Sequence, residues 1–306
     1  MANADPAAAA REPSSAKRVK PRHYLEAALA HAMMAVLSRV PLAAASGVGG
    51  ALARTLGPLG KPWHTALRNL ARAMPERAAP ERAAIARAAF DNFGRTMAEY
   101  AHIPRLWQRR WDGLIQAGGE GLAAAVQPRK AAIVFTAHIG NWEIAPLILA
   151  ARGKPALLVY RAPNNPLVDA MIARIRTDYA AGLAPKGADG LRQIVAHLQD
   201  GGTVYMVVDQ KTNTGPEIPF FGRGARTGKA IARLAMKYGC ALIPAHCERV
   251  GGARFRVSFE TPWSVEGDAG NPDHVATTLR RINARIEDWV RAQPGQWMWM
   301  HKRWPD

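Results

Sequence analysis

The sequence predicts an α/β protein with a mostly parallel central sheet flanked by helices, preceded by an N-terminal helical, membrane-associating segment. Three observations carry this. Short unbroken apolar runs recur: AAIVFTAH from residue 131, PALLVYR from 155, TVYMVVDQ from 203 and ALIPAHC from 241. Amphipathic helical stretches alternate with them, the pattern of strands buried on both faces. Before them, Tyr24 to Leu59 is rich in Ala, Leu, Val, Met and Gly and is flanked by Arg and Lys, which suits attachment to an anionic surface.

Residues 1–22 are Ala/Pro-rich and then basic, and read as a disordered arm. Residues 23–60 form the apolar segment. Its halves, AALAHAMMAVLS and LAAASGVGGALA, are interrupted at Arg39, Pro41 and Arg54; neither reaches the roughly 20 apolar residues of a spanning helix. An interfacial hairpin, a poor single span and a soluble helix pair all stay open. The start does not read as a secretory signal peptide. The α/β domain covers 61–306. From His64 to Arg110 apolar residues recur at three and four, and Pro75 and Pro80 separate two helices. After the first strand a helix runs from about Asn141 to Arg152. The next helix begins near Pro166, since proline suits a first turn. DGLRQIVAHLQDGG places Leu191, Ile194, Val195 and Leu198 on one face, with Asp189 as N-cap and Gly201 as stop. TGKAIARLAMKYG is a helix capped by Thr227 and closed at Gly239. RFRVSFE alternates like an edge strand. A long helix from about Pro272 to Ala292 carries Val275, Leu279, Ile282, Ile286 and Trp289. QWMWMHKRW, at 296–304, reads as a docked tail; aromatics among bases also suit nucleic acid or a membrane interface.

The net charge of +17 favours anionic partners: nucleic acid, lipid headgroups, phosphorylated substrates or an acidic protein. The two cysteines, Cys240 and Cys247, form no disulfide framework and no C-x-x-C pair, which favours a reducing, cytosolic face. With His246 they lack a fourth ligand at zinc spacing and alternate within a strand, so they read as core. No metal and no cofactor is expected. The sequence has no Gly-x-Ser-x-Gly elbow and no Walker loop, and GVGGAL at 47–52 falls short of a dinucleotide fingerprint.

In open parallel sheets, ligands bind outside the carboxyl ends of the strands. Three strands deliver a polar residue to that edge: His138 after IVFTA, Arg161 after LLVY and Asp209 after VYMVV. His138 precedes a Gly-Asn turn and stands five residues before Glu143. Asn141 or a neighbouring backbone group caps the next helix. Glu143 lies in its first turn, where the macrodipole favours a carboxylate, and a tight turn folds it back against the imidazole. His301 and Asp306 repeat the spacing without a preceding strand, and read as chance. PFFGRGART, at 219–227, sets Arg223, Arg226 and Lys229 before or at a helix start. That makes either a phosphate-facing lip or a basic loop anchored by two aromatics.

HIGNWE after an apolar strand, VYRAPNNPLVD, VVDQ, IPFFGRGARTG and QWMWMHKRW resemble, in this order, the motifs of the late lipid A acyltransferases. These are the lauroyl/myristoyl acyltransferases of the lysophospholipid acyltransferase superfamily, and the resemblance runs from about His23 to Trp304. It implies an enzyme at the cell inner membrane, on the cytoplasmic side, acting in lipopolysaccharide biosynthesis. It would transfer a fatty acyl chain from acyl carrier protein to a hydroxyl of a lipid A precursor. The implied catalytic dyad is His138 and Glu143, with Arg161 and Asp209 in the places of supporting site residues; Asn141, Arg223 and Arg226 are expected to bind substrate. Relatives acylate mannosylated phosphoinositides or other lipids, so another glycolipid or a lysophospholipid is the alternative acceptor.

The chemistry agrees. Acyl transfer to an alcohol needs a base, and an imidazole suits the task. Glu143 would fix its tautomer, and the acceptor oxygen would attack the thioester directly. Backbone N–H groups after His138 are the first choice of oxyanion donor and Arg161 the second. The expected partners are acyl carrier protein, the lipid acceptor and an anionic membrane surface, with no nucleic acid. A non-catalytic basic membrane-binding protein would explain the charge but not three polar strand ends; a thioesterase would use water as acceptor.

Overall fold

The computed structural model describes residues 19–109 and 113–305; the expected arm lies mostly outside the described residues. Helices α1 (Pro21–Arg39) and α2 (Leu42–Leu56) form an N-terminal hairpin, followed by α3 (Lys61–Ala73) and α4 (Ala79–Glu99). Pro41 forces the break between α1 and α2: the residue before a proline is pushed out of the helical region, and Val40 takes ψ 145°. α2 crosses α4 at two glycines. A Cβ on Gly94 would lie 2.2 Å from the Gly49 carbonyl oxygen, and one on Gly49 would lie 2.5 Å from that of Gly94. Of twelve exposed large apolar side chains among the described residues, ten fall between Val19 and Leu59. They form stripes at helical spacing: Leu25, Leu29, Met33 and Val36 on α1, and Val48, Leu52 and Leu56 on α2. No helix among the described residues is long and apolar enough to cross a membrane.

The strands are β1 (Ile115–Gly118), β2 (Ala132–Thr136), β3 (Leu157–Tyr160), β4 (Gly182–Pro185), β5 (Thr203–Val207), a hairpin of β6 (Glu217–Phe220) and β7 (Arg223–Arg226), then β8 (Ala241–Gly251) and β9 (Arg254–Phe259). Seven of them form one sheet in the order β1-β9-β8-β2-β5-β3-β4, parallel except for the β8–β9 pair. RFRVSFE is therefore not an edge strand: β1 lies beyond it, Ile115 beside Phe255. β1 (IQAG) and β4 (GLAP) are too short and too weakly apolar to carry a period.

One face of the sheet, with Val134, Leu158, Tyr205 and Ile243, packs on α5 (Ile103–Gln108), α6 (Glu120–Ala125) and α7 (Ile144–Ala151), with α8 (Pro166–Thr177) at its rim. The other face, with Ile133, Phe135, Val204 and Met206, packs on α9 (Ala188–Gln199), α10 (Ala230–Tyr238) and α11 (Pro272–Ala292). Asn165 caps α8 by accepting from the Leu167 N–H at 3.0 Å. α9 begins at Ala188, so Asp189 sits inside its first turn and is not the N-cap. Thr227 does not cap α10; its hydroxyl donates to the Ala225 carbonyl at 2.9 Å. Gly239, at φ 58°, closes that helix in the left-handed region.

The C-terminal tail is docked, with Trp297, Trp299, Arg303 and Trp304 buried. The β6–β7 hairpin clasps it. Trp304 Nε1 donates to the Phe220 carbonyl at 3.2 Å, and Arg303 donates to the Arg226 carbonyl and the Thr227 hydroxyl, each at 3.0 Å. The expected lip is thus corrected: residues 223–226 are extended strand holding the tail, and the helix starts only after Lys229.

Candidate active site

β2 ends at Thr136, and residues 138–141 form a tight turn. Gly140 sits at φ 56°, and a Cβ there would lie 1.9 Å from the Cys247 carbonyl oxygen, so only glycine fits. The tail supports one side of the turn: Gly140 N–H donates to the Gln296 carbonyl at 3.1 Å, and Met298 N–H to the His138 carbonyl at 3.0 Å. α4 supports the other, Asn92 Nδ2 and Thr96 Oγ1 donating to the Gly140 carbonyl at 2.9 and 3.0 Å.

This frame presents His138 to Asp209, which follows the neighbouring strand β5. Asp209 Oδ1 lies 2.7 Å from His138 Nδ1; Oδ2 accepts from the His138 N–H at 2.9 Å and from Trp297 Nε1 at 2.8 Å. Burial would raise the Asp209 carboxyl, but the charge and hydrogen bonds of His138 outweigh it and hold it well below the usual carboxylate range. A carboxylate only accepts, so Nδ1 carries the proton and Nε2 of the neutral ring carries the lone pair. Gln210 Nε2 lies 3.3 Å from that lone-pair nitrogen, and the Trp142 ring meets the imidazole edge-on at 4.9 Å.

Glu143 does not fold back on His138. It pairs with Arg176 of α8, Nη2 to Oε1 at 2.6 Å, with both side chains largely buried. The reason is local: α7 starts only at Ile144, and the turn leaves Glu143 facing α8. Burial would lower the Arg176 guanidinium, but Glu143 holds it well above its ordinary value. Asn141 is likewise turned into the scaffold. Its Nδ2 donates to Glu99 at 2.9 Å and its Oδ1 accepts from the Glu143 N–H at 3.1 Å. Glu99 is itself buried against Arg249 and accepts from Ser46 Oγ of α2 at 2.6 Å.

A groove of about 290 Å³ brings together His138, Glu143, Arg161, Arg176, Lys186 and Gln210. Arg161 stands exposed at its rim. Arg223 and Arg226 are not among its lining residues; they donate to the carbonyls of Arg72 (3.1 Å) and Asn213 (2.8 Å). Across the strand ends lies a larger, mainly apolar cavity of about 600 Å³ between α9, α10 and β5, walled by Ile194, Met206, Ile231 and Leu234. Val159, Lys186, Val207 and Gln210 line both spaces. The arrangement can hold a long apolar chain with its reactive end beside His138.

Sequence reasoning missed Arg176, Lys186, Gln210 and Trp297. Gln210 stood beside Asp209 in VVDQ and Trp297 stood in the tail motif QWMWMHKRW; Arg176 and Lys186 carried no local signal. His301 is not a bystander either. Its ring stands 5.1 Å from that of Trp297, and burial lowers its pKa against the opposing pull of Asp209. Burial pushes the Cys240 and Cys247 thiols up to about 11 and about 12, which makes them poor nucleophiles.

Residues 12–306 match the family described as bacterial lipid A biosynthesis acyltransferase. The chain belongs to this family. Among relatives of this lipid A acyltransferase-family chain, the phosphatidylinositol mannoside acyltransferase of Mycobacterium tuberculosis is 27% identical over 246 residues, covering 78% of this chain and 75% of the relative. The lipid A biosynthesis myristoyltransferase of Escherichia coli is 26% identical over 301 residues, covering 95% of this chain and 90% of the relative. A crystal structure of the 1-acyl-sn-glycerophosphate acyltransferase of Thermotoga maritima is similar with a TM-score of 0.37 at 12% identity, over 78% of this chain and 98% of that one. The lipid A acyltransferase-family protein described here is therefore an acyltransferase acting on a lipid or glycolipid.

Proposed function

We propose that this acyltransferase moves a fatty acyl chain from acyl carrier protein to a hydroxyl of a lipid A precursor, at the cytoplasmic face of the inner membrane, with His138 as general base. One observation carries the reading: His138, with the lone pair on Nε2, lines a groove that shares Val159, Lys186, Val207 and Gln210 with an apolar cavity. The acyl chain fills the cavity, the thioester stands at the shared wall, and the acceptor hydroxyl enters from the groove. His138 Nε2 takes the hydroxyl proton, while Asp209 fixes the tautomer and stabilises the imidazolium. The acceptor oxygen attacks the thioester carbon, the C–S bond breaks, and the proton passes to the departing sulfur. Arg161 and Lys186 give the rim a positive character that suits phosphate groups on the acceptor or on the pantetheine arm.

The hairpin supports a membrane setting. α1 rests on α8, where Asn165 Nδ2 donates to the His23 carbonyl and to Glu26, each at 2.9 Å. α8 supplies Ile172 and Arg176 to the groove. Apolar stripes flanked by Arg and Lys suit a helix pair lying in the interface, which would place the groove beside the lipid it serves. The E. coli relative supports a lipid A acceptor. The M. tuberculosis relative favours a second reading, a mannosylated phosphoinositide.

The test is to incubate the purified protein and its His138→Ala variant with acyl carrier protein or, in a separate arm, coenzyme A, each charged with varied chains. A tetraacylated lipid A precursor or a phosphatidylinositol mannoside is supplied as acceptor, and the lipid products are weighed. Acylated precursor, with at least about 10²-fold slower turnover in the variant, is expected. Acyl release into water alone would mark a thioesterase. Acylation only from coenzyme A would overturn the donor, and acylation only of the mannoside would overturn the acceptor.

A further inference from the structure

We infer that Gln210 is a catalytic residue: its carboxamide donates to the oxyanion of the acyl-transfer step, and until an acceptor hydroxyl arrives it is parked on the base. The inference rests on the acyl-transfer reading above. Its starting point is where the backbone donors of the turn go. His138 N–H donates to Asp209 at 2.9 Å, Ile139 N–H to the Ala137 carbonyl at 2.8 Å and Gly140 N–H to the Gln296 carbonyl at 3.1 Å. Glu143 N–H donates to Asn141 Oδ1 at 3.1 Å and Ile144 N–H to the Asn141 carbonyl at 3.2 Å. These five N–H groups are thus committed to protein acceptors, and the expected backbone oxyanion hole is not available from them.

Among the side chains, Arg176 is committed to Glu143, Arg161 is exposed at the rim, and Lys186 lines both spaces. Gln210 is the donor already at the base, 3.3 Å from His138 Nε2. Because that nitrogen carries a lone pair, the amide N–H end faces it. Gln210 lines both the groove and the apolar cavity. A thioester whose chain fills the cavity, attacked by a hydroxyl in the groove, has its carbonyl between the two. An acceptor hydroxyl must take the place on Nε2 that the amide now holds. The displaced N–H then lies one atom's width away, beside the oxygen on which charge develops. The backbone of residue 210 cannot drift far, since Asp209 before it is pinned by three hydrogen bonds.

The step balances. The hydroxyl proton goes to Nε2, the C–O bond forms, and the carbonyl π pair moves onto oxygen, where Gln210 N–H donates to it. The pair then returns, the C–S bond breaks, and the imidazolium proton goes to sulfur. Parking also has a use. While the amide covers Nε2, water cannot be activated there, so a bound acyl donor is protected until the acceptor arrives.

The experiment measures transfer, acyl release into water, and the pH profile of kcat/KM for Gln210→Ala and Gln210→Glu beside parent and His138→Ala. Gln210→Ala should lose about 10²–10³-fold in kcat, the usual cost of one oxyanion donor, with little change in KM and a larger share of hydrolysis. Gln210→Glu keeps the shape, so it serves even where the alanine variant folds poorly. It should lose at least as much, and its acid limb should move to higher pH because a carboxylate stabilises the imidazolium. A packing role would lower the melting temperature or raise KM and leave the limb in place. Variants with kcat within about threefold of parent, a margin too small for a lost transition-state contact, and an unmoved limb overturn the inference. If His138→Ala is inactive in that same assay, only the role of Gln210 falls; if His138→Ala is active too, the general-base reading falls with it.

Discussion

Trp297 donates its indole N–H to Asp209 at 2.8 Å, and through that carboxylate it holds the imidazole of His138. A residue from the tail thus orients a group that the opening of the sheet presents. Trp297→Phe keeps a six-membered aromatic ring in the tail but removes the donor, together with the pyrrole part of a fully buried indole. We expect a loss of about 1.5–3 kcal/mol in stability, the worth of a hydrogen bond to a charged group, together with slower turnover. Urea denaturation gives the first number; a parent midpoint would mean that Asp209 does not need the indole.

Two carboxylates compete for the partnership with His138, and one pair of variants separates them. Asp209→Asn should lower kcat by about 10³-fold or more, because an amide in that position favours the wrong tautomer. Glu143→Gln leaves Arg176 buried without its counter-charge. It should cost about 3–5 kcal/mol in stability, while the folded fraction keeps its base oriented. Turnover per folded molecule, measured beside denaturation curves, decides. The opposite pattern would restore Glu143 as the partner of the imidazole.

Acid should weaken the fold in two stages. Burial lowers the pKa of His102, His197 and His301. Their folded values lie below the unfolded value of about 6.5, so the unfolded chain binds protons first. Stability is full above that value and falls as pH drops below it. Asp209 is depressed; its contribution is present above its unfolded value near 3.9 and is lost only as pH falls further. Melting temperatures should therefore decline already between about pH 6.5 and 5. A flat profile across that window would contradict the lowered pKa of these three histidines.

The glycine crossing of α2 and α4 has a stability test. Gly94→Ala drives a methyl group into the Gly49 carbonyl, and overpacking of this kind costs about 1–3 kcal/mol. Thermal melting reads it directly. An unaltered melting temperature would show that the two helices part without penalty.

Leu29→Glu and Leu52→Glu place charge on exposed stripes, so the fold should persist. Each removes an apolar side chain worth about 1.5–3 kcal/mol on burial, which is tenfold or more in partitioning. Co-sedimentation with anionic vesicles is the measurement. Undiminished binding would move the membrane contact away from this hairpin.

Much of the fold was legible because buried parallel strands are apolar runs, and IVFT, LLVY, TVYMV and LIPA all are. That regularity also placed His138, Arg161 and Asp209 on one edge, since parallel strands end on the same side. What stayed hidden was partnership. The position of Glu143 in chain order suggested the imidazole, but pairing follows side-chain direction, and Arg176 lay 33 residues further along. The tail displayed its tryptophans openly; nothing local said that one indole would meet a carboxylate 88 positions earlier. The basic residues of PFFGRGART looked like a loop at a helix start because composition does not reveal a strand that clasps another segment.

The clasped tail has a consequence during synthesis. His138, Asp209 and Trp297 leave the ribosome in that order, and until the last has emerged the imidazole turn lacks the segment that pairs with it. A nascent chain can build its helical hairpin and its early strands while its base is still unaligned. Alignment of the base is thereby deferred until Trp297 has been translated, and a chain stalled before that point would lack the indole that holds Asp209.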